Sequence, residues 1–79
     1  MRTLVASDVI ARVRLREMIA GGTVRTIREA AGLSLGDVGR ALGVSRSTVF
    51  RWEHGQVPRG ETASRYVHLL LTLQVLARR

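Results

Sequence analysis

Glycine breaks divide this chain into five stretches, and none of the stretches alternates polar with apolar residues. The breaks are Gly21-Gly22, Ala31-Gly32, Gly43, and the run from Gly55 through Pro58 to Gly60. Without sustained period-two alternation there is no material for a sheet, so all five stretches read as helices. At 79 residues the chain is one small domain overall. A chain this short buries roughly 60% of its unfolded surface, which allows one modest core and little room for a deep substrate cleft.

The first helix is expected from Ser7 to Ala20, with Ser7 as N-cap, Asp8 near the positive end of the helix dipole, and a rough apolar face of Ile10, Val13, Met18 and Ile19. The second runs from Thr23 to Ala31, with Val24, Ile27 and Ala31 on one stripe. The third runs from Ser34 to Leu42, and Ser34-Leu35-Gly36-Asp37 opens it like a capping box with Asp in place of Glu. The fourth runs from Ser45, its N-cap, to His54. The fifth, Glu61 to Ala77, is apolar on most sides. It is expected to be the central core helix, with its leftover Leu and Val surface making part of a dimer contact. The first helix should pack on it and keep Arg12, Arg14 and Arg16 in solvent.

Charge narrows the partners. Thirteen cations, every one an Arg, face six acids, so the net charge is +7. The acids are interspersed, so this is not a solvated basic tail. A compact domain this basic attracts polyanions, nucleic acid or an anionic membrane surface. There is no Cys, hence no disulfide framework, and a cytoplasmic location is expected. The N-terminus has no apolar leader, and the stretch from Tyr66 to Leu76 is too short to span a bilayer. No catalytic Ser/His/acid set, phosphate-cradling glycine loop or metal-ligand cluster is visible. An enzyme, a cofactor and a small-molecule ligand are therefore not expected.

The stretch from Leu35 to Trp52 carries the most information. Gly43-Val44-Ser45 separates two short helices, and Gly43 permits the positive φ of a tight turn between crossed helices. Val38 and Leu42 lie one turn apart, as do Val49 and Trp52, so each helix turns one stripe inward. Gly39 has no side chain and would let the second helix cross closely, whereas Gly36 has no such reason. Residues 33–55, LSLGDVGRALGVSRSTVFRWEHG, resemble the helix-turn-helix of the phage repressor and Cro (Xre-like) family. The resemblance covers about Val24 to Leu73. It implies an all-α bundle of about five helices with a central helix-turn-helix. That unit occupies residues 21–79, with residues 1–20 as an N-terminal extension helix outside the family's core. The family implies binding of duplex DNA in the major groove, usually as a homodimer on a palindromic operator, in a bacterial or phage-infected cell.

On the fourth helix, Val49 and Trp52 fix the inner side at 100° per residue. Ser47 and His54 then point outward, with Phe50 and Arg51 flanking them and Arg46 near the boundary. Arg46, Ser47, Phe50 and Arg51 are the expected base contacts: Arg can fork onto guanine, Ser can meet several base edges, and Phe can pack on a thymine methyl. The competing expectation for Phe50 is burial under the N-terminal segment or a partner chain. Trp52 is expected in the core rather than as a stacking platform. Phosphate contacts are expected from the backbone N–H groups at Ser34 and Leu35, which open a helix toward an anion, and from His54, Gln56 and Arg59 beyond the fourth helix. For Arg59 the alternative is a solvated loop charge. Arg25 and Arg40 read as surface charges. Arg28 lies in an apolar stripe and needs a partner; the family often pairs such an Arg with a Glu at the place of Glu53, so an Arg28–Glu53 ion pair is expected. The function that follows is sequence-specific transcriptional regulation, with repression by occlusion favoured. The alternative is the DNA-binding antitoxin of a toxin–antitoxin pair.

Overall fold

The computed structural model describes residues 5–78. Five helices follow one another: α1 (Ala6–Ala20), α2 (Thr23–Ala30), α3 (Leu35–Leu42), α4 (Arg46–Glu53) and α5 (Gly60–Ala77). Among the described residues there is no strand, and the all-α reading stands. α5 is the axis of the bundle. α1 lies along it, and α2 and α3 also pack against it. The side chains of Leu15, Val24, Val38, Val49, Tyr66 and Leu70 are fully buried and draw on all five helices. No helix among the described residues is long and apolar enough to cross a membrane.

α1 differs from the expectation in two respects. It begins one residue early, with extended Val5 at the N-cap position and no side-chain cap, so Ser7 is an exposed helical residue. The tie at this end is tertiary instead: Ser64 Oγ of α5 donates to Asp8 Oδ1 at 2.6 Å. The buried stripe is Ala11, Leu15 and Ile19, with Met18 partly covered. Ile10 and Val13, placed inward by the sequence reading, are 60% and 53% exposed. The inner position goes to small Ala11, which lets α1 lie close against α5. Val9 is exposed as well, so α1 carries aliphatic residues on both of its faces. Arg14 and Arg16 are in solvent as expected. Arg12 is half-buried, and its Nε has no hydrogen-bond partner among the described residues.

The remaining boundaries shift by a residue. Ala31 and His54 are cap positions rather than helical ones, and α5 starts at Gly60 instead of Glu61, whereas Ser45 is the N-cap of α4 as expected. Between α3 and α4 the chain turns at Gly43, φ 73°, and Gly39 O accepts from Val44 N at 2.8 Å. A methyl group on Gly39 would stand 2.6 Å from Val44 O and 3.3 Å from the Ser45 carbonyl carbon. The turn backbone thus lies directly on Gly39, and only glycine leaves it room. Gly36 has no comparable neighbour: a methyl there would meet nothing nearer than Arg40 Nη1 at 3.5 Å.

Candidate nucleic-acid interface

α4 is set by its two ends and its inner stripe. Ser45 Oγ accepts from Thr48 N at 3.1 Å and caps the first turn. Val49 and Trp52 are buried, and the Trp52 ring meets Tyr66 of α5 at a centroid distance of 4.9 Å. Trp52 is therefore a core residue and offers no platform to a ligand. Burial, chiefly, and the nearby Glu53 charge push the Tyr66 phenol well above its ordinary pKa.

Arg28 and Glu53 meet end to end. Arg28 Nε donates to Glu53 Oε2 at 2.6 Å, and Nη2 donates to Oε1 at 3.0 Å. Arg28 Nη1 also donates to Leu33 O at 3.0 Å. The two side chains are only 12% and 3% exposed. Hydrogen bonding to Glu53 outweighs burial and raises the guanidinium pKa. One bidentate pair thus fastens the last residue of α4 to α2 and to the loop that leads into α3.

With its inner side fixed, α4 turns Arg46, Ser47, Phe50 and Arg51 to solvent. These four share one open hollow of about 300 Å³ with Leu35 at the start of α3. Phe50 is 49% exposed, so it is covered neither by α1 nor by another described segment. Its ring stacks on His54 at a centroid distance of 3.9 Å and an interplanar angle of 21°. His54 Nδ1 lies 2.8 Å from Phe50 O. A carbonyl oxygen only accepts, so Nδ1 carries the proton. His54, Gln56 and Arg59 do not line the hollow; they are exposed around the end of α4 and the loop beyond it. Gln56 N donates to Arg51 O at 3.0 Å, and Pro58 in the same loop is buried.

The start of α3 corrects one expectation. Ser34 Oγ accepts from Asp37 N, and Asp37 Oδ2 accepts from Ser34 N at 2.8 Å. The capping box uses the Ser34 N–H, so that group is not free for an anion. The first-turn N–H groups of Leu35 and Gly36 are the ones left facing outward. The Ser34 hydrogen bonds, first the backbone one, hold the Asp37 carboxyl below its usual pKa.

Sequence reasoning missed Thr48. Its hydroxyl lies 2.9 Å from Ser45 Oγ, and Arg51 Nη2 donates to Thr48 Oγ1 at 3.2 Å. Cap, threonine and arginine form one chain along the outer side of α4. The signal was present in the i, i+3, i+6 spacing of Ser45, Thr48 and Arg51, which brings successive polar side chains within reach.

Charge completes the arrangement. Over residues 21–60, every acid is paired with an arginine: Glu29 with Arg25, Asp37 with Arg40, and Glu53 with Arg28. The arginines left without a carboxylate in that span are Arg46, Arg51 and Arg59, all on α4 or the loop that follows it. Two short helices joined at Gly43, with the second buried along one side and cationic along the other, match a known pattern. A family model described as a helix-turn-helix domain matches residues 19–79. The chain belongs to this family. The helix-turn-helix is α3 and α4, and the resemblance read from residues 33–55 falls inside the match.

Three relatives, each named "Putative HTH-type transcriptional regulatory protein", are similar over this part of the chain. The one from Methanocella arvoryzae is 42% identical over 52 residues, 66% of this chain and 16% of its own length. That from Methanospirillum hungatei is 54% identical over 37 residues, 47% of this chain and 12% of its own length. That from Pyrobaculum aerophilum is 49% identical over 39 residues, 49% of this chain and 16% of its own length. The chain therefore spans about one sixth or less of the curated relatives it matches. No solved structure matches the chain.

Proposed function

We propose that this helix-turn-helix chain binds duplex DNA sequence-specifically, laying α4 in the major groove, and acts as a transcriptional repressor by occluding its operator. The observation that carries this is the outward face of α4, where Arg46 and Arg51 stand without carboxylate partners beside Ser47 and Phe50 on one open hollow. Of the cations in residues 21–60, only those on α4 and its following loop are left for an external polyanion. α4 also has the right size: eight residues rise about 12 Å, and a helix with side chains is about 10–12 Å across, close to the width of the major groove.

In this reading Arg46, Ser47, Phe50 and Arg51 face base edges. The first turn of α3 at Leu35, together with His54, Gln56 and Arg59, approaches the phosphates. The Arg28–Glu53 pair is structural and sets the angle of α4. Residues 21–79 form the binding unit, residues 1–20 brace it through α5, and two copies bind a palindrome. The names of the relatives support transcriptional regulation as the context.

Selection of bound duplexes from a random library tests the reading. The expected result is a palindrome with half-sites about one helical turn apart. Arg51→Ala should then cost about 1–3 kcal/mol on the selected site and relax the preference at one position. A library that fails to enrich any sequence would overturn the proposal, as would equal losses for Arg51→Ala on selected and random DNA.

A further inference from the structure

α1 buries Ala11, Leu15 and Ile19 in the bundle and carries a second apolar ridge on its other side. Val9, Ile10 and Val13 form that ridge at i, i+1 and i+4, and all three are exposed. At 100° per residue Val13 lies nearly opposite the buried Leu15. Ile10 leads the ridge into an open hollow of about 330 Å³ between α1 and α5, where Val67 and Leu71 are apolar lining and Arg14 is a charged one. Arg16 is exposed on the far flank of the ridge. Neither Arg14 nor Arg16 meets a carboxylate among the described residues. A solvated helix face carries polar residues, so adjoining aliphatics between two free arginines are a surface made to be covered. The ridge also lies outside the family match, which begins at residue 19.

We propose that this ridge and hollow hold an acidic amphipathic helix of a partner protein, its apolar side on Val9, Ile10, Val13 and Leu71 and its carboxylates toward Arg14 and Arg16. Charge selects this occupant over a second copy. Of the six acids in the chain, Glu29, Asp37 and Glu53 lie against arginines and Asp8 accepts from Ser64. A second copy can therefore offer only Glu17 and Glu61, and it brings a net charge of +7 against +7. Size agrees. The ridge is about as long as α1, about 22 Å, and about one helix wide, so its footprint is roughly 200 Å². A stable interface between two folded chains buries about 800 Å² on each, whereas a single helix laid in a groove fits a strip of this shape. The ridge has none of the Trp, Phe or Leu that seat an interfacial helix in lipid. α1 packs on α5 and α2, and the hollow of α4 is shared with α3, so docking on α1 leaves α4 free.

The test presents the full chain with a displayed library of helical peptides about four turns long, in which one stripe and both of its flanks are randomised. The peptides enriched should carry aliphatic residues along the stripe and Asp or Glu on the flanks. A labelled peptide from that pool, titrated by fluorescence anisotropy, should bind the double variant Ile10→Ser with Val13→Ser about tenfold more weakly, with an unchanged circular-dichroism spectrum, because neither side chain belongs to the core. The double variant Arg14→Glu with Arg16→Glu should select peptides with Lys or Arg on the flanks instead. Arg51→Ala should bind the acidic peptide as the parent does, which separates α1 from the cationic hollow of α4. A library that enriches nothing, flanks selected without regard to sign, or binding that survives the Ile10–Val13 variant would each overturn the proposal. So would sedimentation showing a dimer that this variant dissociates, which assigns the ridge to a second copy. Binding to phosphatidylserine vesicles that the same variant abolishes, in place of peptide binding, would assign it to lipid. None of these outcomes bears on DNA binding, which the duplex library tests separately.

Discussion

Arg28 and Glu53 occupy the same contact but depend on it unequally. Glu53 is the more deeply covered, at 3% exposure against 12%, and it sits beside the buried Tyr66 hydroxyl. Arg28 keeps a second acceptor in Leu33 O when Glu53 is removed. Losing Arg28 leaves a carboxylate buried with no cation, so Arg28→Ala should cost about 3–5 kcal/mol in urea unfolding. Glu53→Ala should cost less, and the pair Arg28→Met with Glu53→Leu less than Arg28→Ala alone. Costs that simply add across the double variant would show that the two side chains do not act as a pair. The two glycines of α3 make the matching contrast in backbone terms. Gly39→Ala gains about 1 kcal/mol of helix propensity but drives a methyl into the Val44 carbonyl. Overpacking of this kind costs typically about 1–3 kcal/mol, so its melting temperature should fall. Gly36→Ala meets only ordinary contacts and should melt higher than the parent by the propensity gain. Both variants melting alike would remove the steric account of Gly39.

At the scale of the element, the start of α3 ties stability to pH. The capping box lowers the Asp37 pKa in the folded state. A depressed carboxyl stabilises the fold above its unfolded pKa, and that contribution disappears as pH falls through the lower, folded value. Asp37→Asn keeps an acceptor oxygen but abolishes the charge. It should therefore be less stable than the parent at neutral pH, and the gap should close on acidification below the ordinary carboxylate range. A gap that stays constant down to the acid limit would exclude the ionised box as its cause. The same element shows why some helices were legible in the sequence. The signals of α3 and α4 are local: Ser34 with Asp37, Ser45 before the first turn, Gly43 at the bend, and pairs of apolar residues one turn apart. Each is decided within four residues, and the structure places each where the residues put it. α1 has no such signals. Its apolar residues run all round the helix, and the side that is buried was decided by the fit of Ala11 against α5, a contact that periodicity does not contain. Its N-terminus was misplaced for a related reason, because Asp8 is held by Ser64, 56 positions away. At the site, the outward direction of Arg46, Ser47, Phe50 and Arg51 followed from the inward direction of Val49 and Trp52. The stacking of Phe50 on His54 and the link through Thr48 depend on rotamers, which the sequence leaves open.

At the scale of the whole molecule, the net charge of +7 matters less than which charges are already answered. Arg25, Arg28 and Arg40 each lie against a carboxylate of their own chain, so a phosphate gains little from them. Arg46, Arg51 and Arg59 have no such competitor over residues 21–60. Each phosphate neutralised releases condensed counterions, and the slope of log K against log salt changes by about −0.9 for each on duplex DNA. If Arg59 meets phosphate while Arg51 reads a base, the two variants separate in two measurements. Arg59→Ala should flatten the salt slope by about one unit and weaken selected and random duplexes alike. Arg51→Ala should lose more affinity on the selected duplex than on random DNA. Arg25→Ala supplies the control, since it removes the same formal charge from the chain. If net charge alone governed binding, Arg25→Ala and Arg59→Ala would flatten the slope equally. If placement governs it, the Arg25 variant should keep the slope of the parent, because Glu29 has already cancelled most of its field near the surface.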